Sequence, residues 1–209
     1  MSVGELRSSV RQLARGAEDE AVNWLLTFDT TVEDLKSELY QMVLAYASSA
    51  AVLAADWYNG LNAQSSYSAD LDDDLAGPKL FSVAEWVFMG PQSPESRLRV
   101  AANRLVFDAA RRTIQTNALT EGVALAREEE PRCCTKCIAR ATTIEKHREG
   151  RSDDVEQEFH PSCEGLFVPV RTGVYEPPEY ARGWHSRLES ARRAGNTNPD
   201  DIALWLQAH

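Results

Sequence analysis

Long hydrophobic runs are absent from this chain. The apolar stretches Met42 to Ala47 and Ala50 to Ala55 are short and are interrupted by Ser48, Ser49 and Asp56, whereas a membrane helix needs about 18 consecutive apolar residues. No membrane span is expected, and a soluble protein is. The opening residues also lack the apolar segment of a secretory leader, since Met1 to Gly16 alternates charge with aliphatics through Glu5, Arg7, Arg11 and Arg15. That argues against an oxidising compartment and against disulfides. Positive charge is scarce: 22 Lys and Arg face 32 Asp and Glu, giving a formal net charge of −10. Such acidity opposes non-specific binding to nucleic acid, whose phosphates are met by clustered Lys and Arg. Cysteine is rarer still, at four in 209 residues.

Those few cysteines are concentrated. Cys134-Thr-Lys-Cys137 and His160-Pro-Ser-Cys163 form two tight pairs. Two short knuckles, each supplying two soft ligands from one turn, are what a tetrahedral Zn²⁺ needs, because each turn fixes half the coordination sphere beforehand. Residues 138 to 159 between them are long enough to bring the second pair back over the first. The expected ligands are Cys134, Cys137, His160 and Cys163, around a structural zinc. Four protein ligands close the shell, and a catalytic zinc keeps one position open for water. Two disulfides, or free thiols in a reducing cytosol, are the competing readings. Cys133 could also replace Cys134 in a looser Cys-x₃-Cys arrangement. A cysteine nucleophile would need a histidine base and an orienting group; Cys133 with His185 is conceivable but has no local signature, and His147, His185 and His209 read as surface residues. The His-x-Glu of a zinc deaminase is missing before Pro131.

A composition that is 43% hydrophobic allows a sizeable core, in one domain or two small ones. The first two-thirds reads as helical. Leu6, Val10, Leu13, Ala17, Ala21 and Trp24 mark a helix from about Val3 to Leu26, although Gly16 in its middle argues against an unbroken rod. Leu35, Leu39, Met42, Tyr46, Ser49 and Leu53 mark a second, started by Thr30 or Thr31 and ending near Gly60. The two should form an antiparallel hairpin. Residues Asn62 to Asp74 read as a mobile loop. Val83 to Met89 reads as a short helix, and Ser93-Pro94-Glu95 opens a further one through Leu98, Ala102, Leu105, Ala109 and Ile114, packed on the first pair. Trp57, Tyr58 and Trp86 are expected in the core. The acidic runs Asp72-Asp73-Asp74 and Glu128-Glu129-Glu130 read as solvated faces, and Arg111-Arg112 and the segment Arg182 to Arg193 as the basic clusters, the latter being the one plausible nucleic-acid surface.

The last third changes character. Leu166 to Val170 reads as a short edge strand because of Pro169, Tyr175-Glu-Pro-Pro-Glu179 as an extended linker, and Asn198-Pro199-Asp200-Asp201 as the cap of a final helix carrying Ile202, Leu204, Trp205 and Leu206. The expected fold is mainly α: a helical domain over residues 1–122, then a small zinc-stapled α+β part with a terminal helix over 123–209, too small to rely on its own core.

The stretch Ala54-Ala-Asp-Trp-Tyr58 late in a long helix, Cys134-x₂-Cys137, and Phe159-His-Pro-Ser-Cys163 followed by Phe167-Val-Pro-Val170 together resemble the MuF-like minor head proteins of tailed bacteriophages, especially those of actinobacterial hosts. The resemblance runs roughly from Leu35 to Leu206. It implies a non-enzymatic head morphogenesis protein, made in the bacterial cytoplasm and incorporated in few copies into the virion. The implied position is the capsid interior or portal vertex, with the portal protein or major capsid protein as partner and weak contact with packaged DNA. Relatives often carry a further cysteine two places beyond the one matched by Cys163, where this chain has Gly165. Some are fused to proteases or toxin enzymes, for which this chain is too short. A zinc-stabilised nucleic-acid-binding module is the main alternative, and a capsid maturation protease a lesser one.

Overall fold

The computed structural model describes residues 1–28, 31–61, 67–71, 79–89, 91–141, 159–160, 162–171 and 175–209. The fold is mainly helical, with one two-stranded sheet among the described residues. Two compact units divide it, Met1–Asn117 and Ala118–His209.

The first unit starts with α1 (Val3–Thr27) and α2 (Val32–Gly60). Each opens on a capping box: the Ser2 and Thr31 hydroxyls accept the backbone N–H of Glu5 and Asp34, whose carboxylates accept the cap N–H groups in return. Despite Gly16, α1 is continuous. Its glycine serves the packing, because the Tyr46 ring of α2 lies against it and the Tyr46 hydroxyl reaches Glu20 at 2.8 Å. The buried stripe of α2 runs through Leu35, Leu39, Val43, Ala47, Ala50, Ala54 and Tyr58. From the third turn on, this lies beside the expected Met42, Tyr46 and Ser49, which are half-buried or exposed, while Ala47, Ala50 and Ala54 are buried.

Helix α3 (Lys79–Met89) is longer than expected, and α4 (Pro94–Glu121) begins where Ser93 caps it, accepting from the Ser96 N–H at 3.3 Å. Helix α4 is bonded to α1 by Asn103 donating to Glu18 at 2.9 Å and Arg99 to Asp19 at 2.7 Å. Trp57 and Tyr58 are core residues as expected, but Trp86 is 43% exposed. Its ring carries the Arg97 guanidinium at 5.8 Å, and a buried Arg97 reaching the carbonyls of Trp86 and Gln92 explains why that ring stays at the surface. The described part of the expected mobile loop is pinned: Tyr67 and the Asp70 N–H both donate to Asn117 Oδ1, at 2.6 and 2.8 Å, and Asn117 donates back to the Asp70 carbonyl. Asp72 to Asp74 lie outside the described residues.

In the second unit, α4 ends on Gly122 at φ 73°, where the Val123 N–H bonds back to the Ala118 carbonyl at 2.8 Å. Strand β1 (Ala124–Glu128) pairs antiparallel with β2 (Leu166–Val170), Ala126 opposite Val168. Strand β2 lies where the sequence places it; β1 carries little strand signal, because two of its first three residues are Ala, a poor strand former. Then come α5 (Thr135–Arg140), α6 (Glu179–Arg193) and α7 (Pro199–Ala208). Their shared core is Ile138, Ala181, Trp184, Leu188, Ile202 and Leu206. Helix α6 follows the 181, 184, 188, 191 apolar spacing, a signal that the basic residues between Arg182 and Arg193 obscure in the sequence. The proline linker before it is no free tether, since Tyr175 is buried and donates to Glu128 Oε2 at 3.3 Å.

Candidate metal centre

Backbone geometry sets up both knuckles. Cys134 is the N-cap of α5 and Cys137 lies in its first turn, with the Ile138 N–H bonded to the Cys134 carbonyl at 3.0 Å. One helical turn therefore points both sulfurs the same way, 3.9 Å apart. At the second knuckle the Cys163 N–H donates to the His160 carbonyl at 3.1 Å, and Ser162 at φ 63° takes the left-handed conformation that this tight reversal demands. Cys163 then leads into β2, so the turn is anchored on the ribbon.

The two knuckles meet. His160 Nε2 lies 3.1 Å from Cys134 Sγ and 2.9 Å from Cys137 Sγ, and Cys137 Sγ lies 3.4 Å from Cys163 Sγ. With Zn–S of about 2.3 Å and Zn–N of about 2.0 Å, ligand atoms around a tetrahedral zinc stand roughly 3.5 to 3.8 Å apart. The donor set suits such an ion if His160 moves slightly outward and Cys163, which does not lie within 4.8 Å of both Cys134 and His160, moves inward. Two groups overlap here: Cys134, Cys137 and His160 lie mutually within 4.8 Å, as do Glu129, Cys137 and Cys163. Cys137 belongs to both.

Glu129 is a correction to the sequence reading. The run Glu128-Glu129-Glu130 is no solvated face: Glu129 is 1% exposed and Glu128 is also buried. Its Oε2 accepts from Cys163 Sγ at 3.4 Å and its Oε1 accepts from Arg127 Nε. Arg127, also buried, extends its NH2 to within 3.7 Å of Cys163 Sγ and lies 4.0 Å above the Phe159 ring. Phe159 packs edge-on against Phe167 at 5.2 Å. Tyr180 donates to the Glu129 carbonyl at 2.7 Å. A single sequence could have hinted at this pair only through Arg127 and Glu129 flanking the start of the knuckle segment.

The Cys137 thiol is pushed well above its ordinary pKa by its hydrogen bond to Cys133, reinforced by burial and by the nearby Glu129 carboxylate, while the hydrogen bond with Cys163 acts in the opposite sense. Without a cation Cys137 is therefore a neutral thiol. A divalent ion held by these residues would reverse this balance, since thiolates are the ligands such an ion takes. Cys133 touches Cys137 and packs against the α5–α7 core. His185 sits on α6, 3.9 Å from Glu189, and His209 stacks on Trp205; His147 lies outside the described residues. Among the described residues no helix is long and apolar enough to cross a membrane.

A mainly helical protein with a Cys/His knot on a small ribbon is the class these features define. The chain belongs to the VG15 protein family, a phage-associated family whose model matches residues 2–191. No curated protein and no solved structure matches it.

Proposed function

We propose that this chain is a structural minor head protein of the MuF-like kind, from a tailed phage of an actinobacterial host. It is built into the head in few copies near the portal, contacting the portal or major capsid protein, and assists head assembly or genome delivery. Membership of a phage family supports this reading, together with the motif that runs from Phe159 through Val170. In it, Cys134, Cys137, His160 and Cys163 hold one structural zinc, and the chain performs no catalysis. The observation that carries the metal assignment is the convergence of two knuckles from separate elements, with His160 Nε2 at 2.9 Å from Cys137 Sγ. A bound zinc supplies folding free energy on the order of 10 kcal/mol at neutral pH. Residues 123–209 accordingly form the zinc-knuckle domain of this reading.

The nucleic-acid alternative rests on the basic face of α6. There Arg187 donates to the Leu206 carbonyl at 3.1 Å and Arg193 to Ser190 at 3.3 Å, which leaves that face less available to phosphate. Salt-dependent DNA binding that weakens on neutralising Arg187, Arg192 and Arg193 would favour it. The deciding experiment is mass-spectrometric quantification of this polypeptide against the portal protein in purified particles. A reproducible low copy number is the expected result, and absence from both mature particles and procapsids overturns the proposal.

A further inference from the structure

The Glu129, Cys137 and Cys163 group has the composition of a second metal site. A cation already stands there. Arg127, 4% exposed, touches Glu129 through Nε and approaches Cys163 Sγ through NH2 at 3.7 Å, with its flat guanidinium lying on the Phe159 ring. A buried guanidinium has to be matched by negative partners. A second divalent ion would sit beside this fixed positive charge and would have to strip Glu129 from it.

We infer that Arg127 is the positioning residue of the metal centre: bonded to Glu129 Oε1 and beside Cys163 Sγ, which itself donates to Glu129 Oε2 at 3.4 Å, it holds the carboxylate against the pull of the ion and helps keep Cys163 Sγ near Cys137, so that the site takes one soft divalent cation. This rests on the zinc reading above. Three thiolates and a neutral imidazole around a divalent ion leave one net negative charge, and Glu129 adds another; Arg127 offsets one of them inside the fold. Ligand chemistry follows from the same contact. With Glu129 held by arginine, the ion meets sulfur and nitrogen, the donors suited to zinc, and not the oxygen that draws harder ions. Gly165 completes the arrangement, because an ideal Cβ there would lie 2.6 Å from Glu129 Cδ. The carboxylate occupies the space of a side chain at 165.

The test is a Co²⁺ titration of the full chain, read by the sulfur-to-cobalt charge-transfer absorption, whose intensity per cobalt follows the number of thiolate ligands. The wild-type chain should take one Co²⁺ with the intensity of three thiolates. Arg127→Met should bind about 10- to 100-fold more weakly, the usual effect of losing an outer-sphere partner, and with lower intensity as Glu129 displaces Cys163. Adding Glu129→Gln to Arg127→Met should restore the three-thiolate intensity. Arg127→Lys keeps the charge but cannot reach carboxylate and sulfur together, so it should show the same loss of intensity; it stands in if Arg127→Met does not fold. Two Co²⁺ per wild-type chain, or an arginine variant that titrates like the wild type, overturns the inference alone. A wild-type chain that takes up no Co²⁺ and no Zn²⁺ overturns the metal reading beneath it as well.

Discussion

An ideal Cβ built on Gly16 lies 2.7 Å from Cε1 of Tyr46, closer than such carbons approach in proteins. The glycine in the middle of α1 is thus the seat of an aromatic ring from α2. Gly16→Ala would gain roughly 1 kcal/mol in helix propensity, but the displaced ring costs about 1–3 kcal/mol and pulls the Tyr46 hydroxyl from Glu20. We expect net destabilisation of the first unit, read as a lower urea midpoint. A midpoint at or above that of the wild type would show that the ring moves aside freely.

Metal content should separate the proposed ligands from their neighbour. Cys163→Ser and Cys137→Ser should lower the zinc carried by the purified protein, measured by elemental analysis, whereas Cys133→Ser should leave it near the wild-type value. Undiminished zinc in Cys163→Ser would remove that residue from the ligand set.

Chelation should act on one unit before the other. Residues 118–209 contain both knuckles and residues 1–117 contain neither. On heating with a chelator, the ribbon and the α5–α7 core should melt first, reported by protection of Leu188 and Val170 amides in hydrogen exchange. A single transition unmoved by chelator counts against zinc as the staple.

Gly165→Ala tests how firmly Glu129 is held. The new methyl meets a carboxylate that is 1% exposed and tied to Arg127, so it cannot swing away cheaply. Overpacking of this kind costs about 1–3 kcal/mol, and the melting temperature of the second unit should fall. An unchanged melting curve would mean that the carboxylate has room elsewhere.

Acid should loosen the start of α2. Hydrogen bonds from the Thr31 side chain and backbone hold the Asp34 carboxyl below its ordinary pKa. A lowered folded value means the contribution is fully present above the unfolded pKa and is lost as pH falls through the folded one. The melting-temperature difference between wild type and Asp34→Asn should therefore be constant from neutral pH down to about 5 and shrink below about 4. A difference that persists at pH 2 would assign the effect to something other than this cap.

Helices with caps and apolar periodicity could be read from the sequence because these are local properties. Thr31 and Asp34, Ser93 with Pro94, and Asn198 with Asp201 announce helix starts within four residues, and the structure uses each of them. The two Cys/His pairs were legible for the same reason, as spacings within single turns, and the structure brings them together. What the sequence hid were relations across the chain. Strand β1 exists because β2 pairs with it, and Trp86 faces outward because Arg97 folds under it. Glu129 looks like one of three surface acids until Arg127 and Cys163 are brought to its two oxygens.

The order of the elements also gives assembly a timetable. A chain emerging from the ribosome at about 5–20 residues per second folds its early domain first, and here that unit needs no metal ligand. Cys134 and Cys137 appear next, on a helix that is only six residues long and whose apolar side, with Ile138 and Ala139, packs with α6 and α7. His160 and Cys163 follow, and then α7, which locks α5 through Gln207 to Thr135 at 3.2 Å and Asp200 to Arg140 at 3.0 Å. On the zinc reading, metal captured before that moment would sit in a site that can still open. The last helix synthesised among these elements would then be the one that turns reversible loading into retention.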